Sequence, residues 1–388
     1  MPSTMEAPDH SRRFFASAFY LLFFAAQASI LPFLTIYYQQ LGLTGSQIGL
    51  FAGIPPLISL ISAPFWTGLA DTSGRHKLVL STGLLGVTGA ILLLSRANSL
   101  SVLLLAIIGY AFFSATIIPL ADSATLHMLG GEKARYGRIR LWGSIGWGLA
   151  SPLTGKIIDS FGMKISFGYS AAVYAIVLMI SLGLVHSLNR LAVPFWRGIR
   201  QVLADRRWLS FLGLSMVGGM SLSVVSNYLL LFMNSLGASK TLMGWVMTVS
   251  TLSEIPFLFF VDRLLKRWGA RRVMAISIAA YALRALLVSL AKVPETMLLI
   301  QVLHGATFAL FIGAGVTLAD EMAPHGLNAT GQGLFSSAMG GIGVATGAIL
   351  GGWLYEGWGG AGTFLVMSGV AFAGLLAWLT LGKGLRES

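Results

Sequence analysis

Long apolar runs alternate with short polar breaks along this chain from residue 14 almost to its end. An apolar stretch of about 20 residues crosses the hydrocarbon core of a bilayer as an α-helix. In lipid every backbone polar group must bond within its own segment, so runs of this length are helices. The pattern predicts twelve spans, at 14–38, 46–70, 77–95, 99–126, 138–159, 164–187, 208–235, 241–263, 272–292, 296–319, 329–355 and 361–382. The longest polar connection, 188–207, separates an N-terminal bundle of six helices, 1–187, from a C-terminal bundle of six, 208–388.

The two bundles repeat each other. Gly42-Leu-Thr-Gly-Ser-Gln-Ile-Gly49 matches Gly237-Ala-Ser-Lys-Thr-Leu-Met-Gly244 at an offset of 195, and Gly146-Trp-Gly148-Leu-Ala150 matches Gly341-Ile-Gly343-Val-Ala345 at the same offset. Two matches at one offset indicate an internal duplication. Duplicated bundles that rock to expose a solute site to each side in turn are the architecture of secondary transporters.

Composition agrees. Of 388 residues 55% are hydrophobic and 10% charged, where a soluble domain carries about 25% charged. The chain has no cysteine, so disulfides, thiolate-held metals and thiol chemistry are excluded. No metal site is expected. The net charge of +12 does not indicate a nucleic-acid partner, because the basic residues sit in short loops between apolar runs. With the N-terminus inside, one face holds 20 Lys and Arg and the other 5, leaving Arg284 within a span. That asymmetry places both termini in the cytoplasm of a multi-pass protein of the plasma (inner) membrane. The first apolar run is too long for a cleaved signal and is read as a mature helix. A monomer in the lipid bilayer is expected.

Three ionisable residues interrupt apolar spans of the second bundle: Glu254, Arg284 and His304. A charge at mid-membrane costs about 2.5–3.5 kcal/mol on insertion scales, so such residues face each other or a wet cavity. At about 1.5 Å per residue, Arg284 and His304 share a depth and Glu254 lies roughly 9 Å deeper, a gap an Arg side chain can nearly cover. Two readings stand. In one, an arginine that approaches and leaves switches Glu254 between holding and releasing a proton, and His304 relays protons or binds solute. In the other, the three residues only tie their helices together. In the first bundle Arg140, Ser144, Trp147, Ser151 and Thr154 recur at three- and four-residue steps on one helical face. An Arg fork beside an aromatic ring suits a polar, ring-shaped solute. Gln27, near Tyr20 and Phe24 on one face of the first span, and Asn227 in the seventh are further polar candidates, as is Phe308, one turn after His304.

Residues 68–77 read Gly-Leu-Ala-Asp-Thr-Ser-Gly-Arg-His-Lys. This resembles the loop between helices two and three of the major facilitator superfamily, and implies that Asp71 and Arg75 belong to its conformational gate. Asp262, Arg263, Gly269, Arg271 and Arg272 form a degraded second copy. Asp122 with Tyr136-Gly-Arg-Ile-Arg-Leu-Trp-Gly-Ser-Ile-Gly-Trp147 is similar to the lactose permease, and closer to the nucleoside and phenylpropionate permeases of the same branch. Ser253-Glu254-Ile255-Pro256, Arg284 and the run Gln301–Phe308 resemble that branch too. The resemblance implies the major facilitator fold, with Asp122 and Arg140 binding solute hydroxyls and Trp147 stacking on a ring. Two departures bear on coupling. Thr307 stands where the lactose permease has a glutamate that takes part in proton coupling, and Gln301 where it has a lysine.

These observations lead to a proton-coupled symporter of a sugar, a nucleoside or an aromatic acid, driven by the proton gradient with no cofactor. A proton-driven exporter is the alternative. The fifth span reads Gly148-Leu-Ala-Ser-Pro152-Leu-Thr-Gly155, without the Gly-Pro pair frequent in exporters of the superfamily. An enzyme is not expected: no His-Glu-x-x-His, Gly-x-Ser-x-Gly or Walker motif occurs.

Overall fold

In a computed structural model, residues 10–129, 135–184, 204–324 and 327–384 are described, and within them no strand occurs. The first span is α1 (His10–Ala28), a 3₁₀ turn (Leu31–Phe33) and α2 (Leu34–Gln40). The proline at 32 lacks the N–H that would continue the helical ladder, and the helix breaks just before it. Then follow α3 (Gly45–Ser73), α4 (His76–Ser95), α5 (Leu100–Ser114), α6 (Ile117–Leu129), α7 (Tyr136–Phe161) and α8 (Lys164–Ser181). The second half holds α9 (Arg206–Ser235), α10 (Lys240–Trp268), α11 (Ala270–Leu290), α12 (Thr296–Ile300), a 3₁₀ turn (Gln301–Leu303) and α13 (His304–Glu321). It ends with α14 (Asn328–Ser336), a π-helical turn (Ser337–Gly343) and α15 (Val344–Gly384), the last broken at Gly359, whose φ is 65°.

Ten of the described helical stretches are long and apolar enough to cross a membrane. The last of these, Thr330–Thr380, contains the break at Gly359 and so makes two spans, while α7 is a full-length helix with a more polar face. Twelve spanning helices therefore stand where the sequence predicts them. The expected span 99–126 is interrupted between α5 and α6, and the helix resumes at Ile117, two residues before Pro119. The connection 188–207 lies outside the described residues as far as 203, as do Lys133, Arg190, Arg197, Arg200 and Arg386.

The duplication recurs in three dimensions. Gly42 and Gly237 share a φ of 82° and 81°, and α3 and α10 begin three residues after each, at Gly45 and Lys240. In the first half Gly146 of α7 lies on the backbone of Leu21 in α1; in the second, Gly343, two residues past the counterpart of Gly146, lies on that of Met216 in α9. Leu21 and Met216 are again 195 positions apart.

By contact the described residues fall into two compact units, those within 1–33 and 58–192, and those within 34–57 and 193–388. The second unit thus takes α2 and the first half of α3. Ser46 donates its backbone N–H to Glu356 at 2.8 Å, and Asn234 of α9 donates to the side chain of Gln39 at 3.2 Å. The core of the second unit is aromatic and aliphatic, built on Trp208, Phe211, Tyr281, Phe311 and Phe335. The Trp208 indole N–H is satisfied by the Met322 carbonyl at 2.9 Å.

Candidate functional site

In the first unit Tyr20, Asp122 and Arg140 come together where α1, α6 and α7 meet. A Cβ on Gly146 would run into the Leu21 carbonyl oxygen, so glycine there lets α7 lie against α1. Tyr20 of α1 is fully buried and donates to Asp122 Oδ1 of α6 at 2.5 Å. The Arg140 guanidinium of α7 sits 4.2 Å from the Phe24 ring centroid and 5.4 Å from that of Tyr20. A cation over an aromatic face is attracted by the ring quadrupole, more strongly when shielded from water. Two turns along α7, Trp147 packs against Ala25 and Ala28 of α1 and Ala150 of its own helix. Arg140, Ser144, Trp147 and Asp122 are all half-buried, as is Gln27. This face presents a carboxylate, a planar cation and an indole, which can bind hydroxyls and a flat ring.

In the second unit Glu254, His304, Arg284 and Phe308 come together. His304 Nε2 meets Glu254 Oε1 at 3.0 Å. His304 Nδ1 lies 2.8 Å from Arg284 Nη1. The histidine therefore stands between carboxylate and guanidinium, in the place where helix ladders put a stretched arginine. Gly305 allows α13 to touch α10 beside this pair, since a Cβ there would strike the Ser253 carbonyl. Ser253 Oγ also accepts the Gly305 N–H at 3.0 Å. Phe308 stacks on the His304 ring, with centroids 5.6 Å apart and planes at 4°. His304 and Glu254 keep 13% and 20% of their side-chain surface accessible, whereas Arg284 is buried at 1%.

Arg284 donates to Gln301 Oε1 and to Thr307 Oγ1, the latter at 3.2 Å. These are the two positions at which neutral residues stand in place of the lactose permease's charged ones beside the histidine. Both were legible only as substitutions. Their placement three residues either side of His304, on one helical face, is the signal that could have found them. Among the described residues, Arg284 Nε and Gln301 Nε2 are buried without a hydrogen-bond partner.

The remaining sequence candidates lie apart from these clusters. The Asn227 amide donates to Ser223 O at 2.9 Å and Ser223 Oγ at 3.2 Å, on its own helix α9. Asp71, near the end of α3, meets His76 Nε2 at 2.9 Å, and Arg75 precedes the first residue of α4. His76 carried no sequence argument beyond its place in the loop motif.

A multi-pass, all-α chain with duplicated helix packing and ionisable residues inside its spans defines the secondary transporters. The chain belongs to the MFS_1 like family, whose model matches residues 15–366, and with it to the major facilitator superfamily, a family of transporters and not of enzymes. It is 26% identical to a maltose permease of Geobacillus stearothermophilus, over 95% of this chain and 94% of that one. It is 26% identical to the multidrug resistance protein MdtG of Salmonella dublin, over 92% of each. A probable 3-phenylpropionic acid transporter of Escherichia coli is 23% identical, over 91% of this chain and 93% of that one. Among solved structures, the nucleoside transporter NupG (D323A mutant) has the same fold, with a TM-score of 0.88 at 21% identity over 95% of this chain and 99% of that one.

Proposed function

We propose that this transporter is a proton-coupled symporter that carries a small polar organic solute by alternating access, without any cofactor beyond the proton gradient. The solute is a sugar, a nucleoside or an aromatic acid. Asp122, Arg140 and Trp147 recognise it, with Ser144 and Gln27 on the same side, and Glu254, His304 and Arg284 couple it to the proton. Asp71 and Arg75 serve the conformational gate. The protein works as a monomer in the plasma (inner) membrane with both termini in the cytoplasm, an orientation supported by the 20-to-5 distribution of basic residues.

The observation that carries this reading is the unbroken chain from Glu254 through His304 to Arg284. Glu254 keeps a fifth of its side chain free of protein contact; in this reading that face meets the solute pathway, where the carboxylate takes up and releases its proton beside His304.

The test follows external pH in lightly buffered vesicles as lactose, a nucleoside and phenylpropionate are added in turn. Alkalinisation with one solute is expected, lost in Glu254→Gln while exchange of bound solute persists. Unchanged alkalinisation in Glu254→Gln would remove Glu254 from the mechanism. The likeness to a multidrug resistance protein favours the second reading, a proton-driven exporter. Dye efflux driven by a proton gradient, with no solute-driven alkalinisation, would select it.

A further inference from the structure

A guanidinium nitrogen can only donate hydrogen bonds. Arg284 Nη1 lies 2.8 Å from His304 Nδ1, so Nδ1 is the acceptor and carries no proton. The single ring proton is then on Nε2, where it points to Glu254 Oε1 at 3.0 Å. A second proton would place two donors face to face. His304 is thereby held neutral for as long as Arg284 stays where it is.

Two neutral side chains keep Arg284 there. Its Nη1 is shared with Thr307 Oγ1 at 3.2 Å, and its Nη2 is bound by Gln301 Oε1. Gln301 is itself fully buried, and its Oε1 also accepts from Ser250 Oγ of α10 at 3.1 Å. Both holders of Arg284 are neutral acceptors, so they fix its position without supplying a competing carboxylate. The titratable and charged groups that face this cluster from α10, α11 and α13 are Glu254, Arg284, Tyr281 and His304. Tyr281 titrates far from neutrality, and Arg284 stays protonated.

We infer that Gln301 and Thr307 are positioning residues that lock His304 as the Nε2–H tautomer, leaving Glu254 as the one proton carrier of the cycle. This rests on the symport reading. The step balances simply: a proton from water on one side adds to a Glu254 oxygen, the other oxygen keeps accepting from Nε2–H, and the proton leaves to water on the other side. The cluster passes from net neutral to one positive charge and back, with one proton moved per solute.

The experiment combines ¹⁵N spectra of histidine-labelled protein, with His304 assigned by its loss in His304→Gln, and proton counting in vesicles. In the unaltered chain His304 is expected to show one protonated nitrogen, Nε2, throughout pH 5–8, the range in which histidine ordinarily changes charge. One proton is taken up per solute. Thr307→Val removes the hydroxyl at nearly constant volume, and Gln301→Met removes the amide. In each, His304 should gain a second proton within that range, and solute-driven proton uptake should titrate as two groups instead of one. Thr307→Ser, which keeps the hydroxyl, should restore the single group. A merely structural role for Thr307 and Gln301 would change stability and leave the tautomer alone, which would overturn the inference. Alkalinisation together with a doubly protonated His304 in the unaltered chain would also overturn it and leave symport standing. No alkalinisation with any solute would instead fail the symport reading, and the carrier role with it.

Discussion

At the scale of single residues, the charges inside the spans were legible and their partners were not. Glu254, Arg284 and His304 stand out because an ionisable group in an apolar run is expensive. Gln301 and Thr307 carry no charge, and a neutral polar residue in a span is common. Only the hydrogen bonds to Arg284 separate them from the rest. Tyr20 is the parallel case in the first unit, marked in the sequence only by its place on the face of Gln27 and joined by the structure to Asp122. Arg140 offers a sharper test of the solute face. Lysine keeps the charge but loses the planar fork and its fit over the Phe24 ring, which lies 4.2 Å away. Arg140→Lys is expected to weaken solute binding about tenfold, roughly 1.4 kcal/mol. Equilibrium binding to the purified protein checks this, and unchanged affinity would remove Arg140 from the solute face.

At the scale of elements, helix existence came from hydropathy, and helix contact from glycine. Spans appear where the apolar runs are, yet nothing in hydropathy says which pair of helices approaches closely. The contact of α10 with α13 depends on Gly305, which faces the Ser253 carbonyl oxygen with no room for a Cβ. Gly305→Ala should therefore push the two helices apart. Overpacking of this kind costs about 1–3 kcal/mol, and it should lengthen the Glu254–His304 contact, so coupling falls more than stability alone would explain. Gly89→Ala is the control, because a Cβ there meets nothing within 4 Å. Thermal unfolding and solute-driven proton uptake, measured side by side, check both. Equal behaviour of the two variants would show that the close approach is not needed.

At the scale of the molecule, chain order and contact disagree over one segment. Leu34–Leu57 belongs by repeat to the first half and by contact to the second unit. Its attachments there include Ser46 to Glu356 and Gln39 to Asn234. A cycle in which the duplicated halves move against one another has to undo that docking and restore it. The chain has no cysteine, so Gln39→Cys with Asn234→Cys can be joined selectively by a short thiol-reactive cross-linker. Cross-linking is expected to reduce transport at least tenfold, with cleavage of a reducible linker restoring it. Full transport with the link in place would show that the segment stays docked throughout. A tenfold loss in rate corresponds to about 1.4 kcal/mol in the barrier, far less than a covalent tether can impose.

The sequence by itself determined the class of fold, the twelve spans, the duplication at an offset of 195 and the three ionisable residues of the second bundle. Each of these follows from local quantities, the transfer cost of a side chain into lipid and the spacing of small residues along one helix. Tertiary structure alone decided that His304 stands between Glu254 and Arg284, that neutral acceptors hold Arg284, and that Leu34–Leu57 joins the second unit. Those outcomes depend on how helices from distant parts of the chain meet. A hydrogen bond between side chains is fixed to within a few tenths of an ångström by that meeting, and no periodicity along the sequence records it.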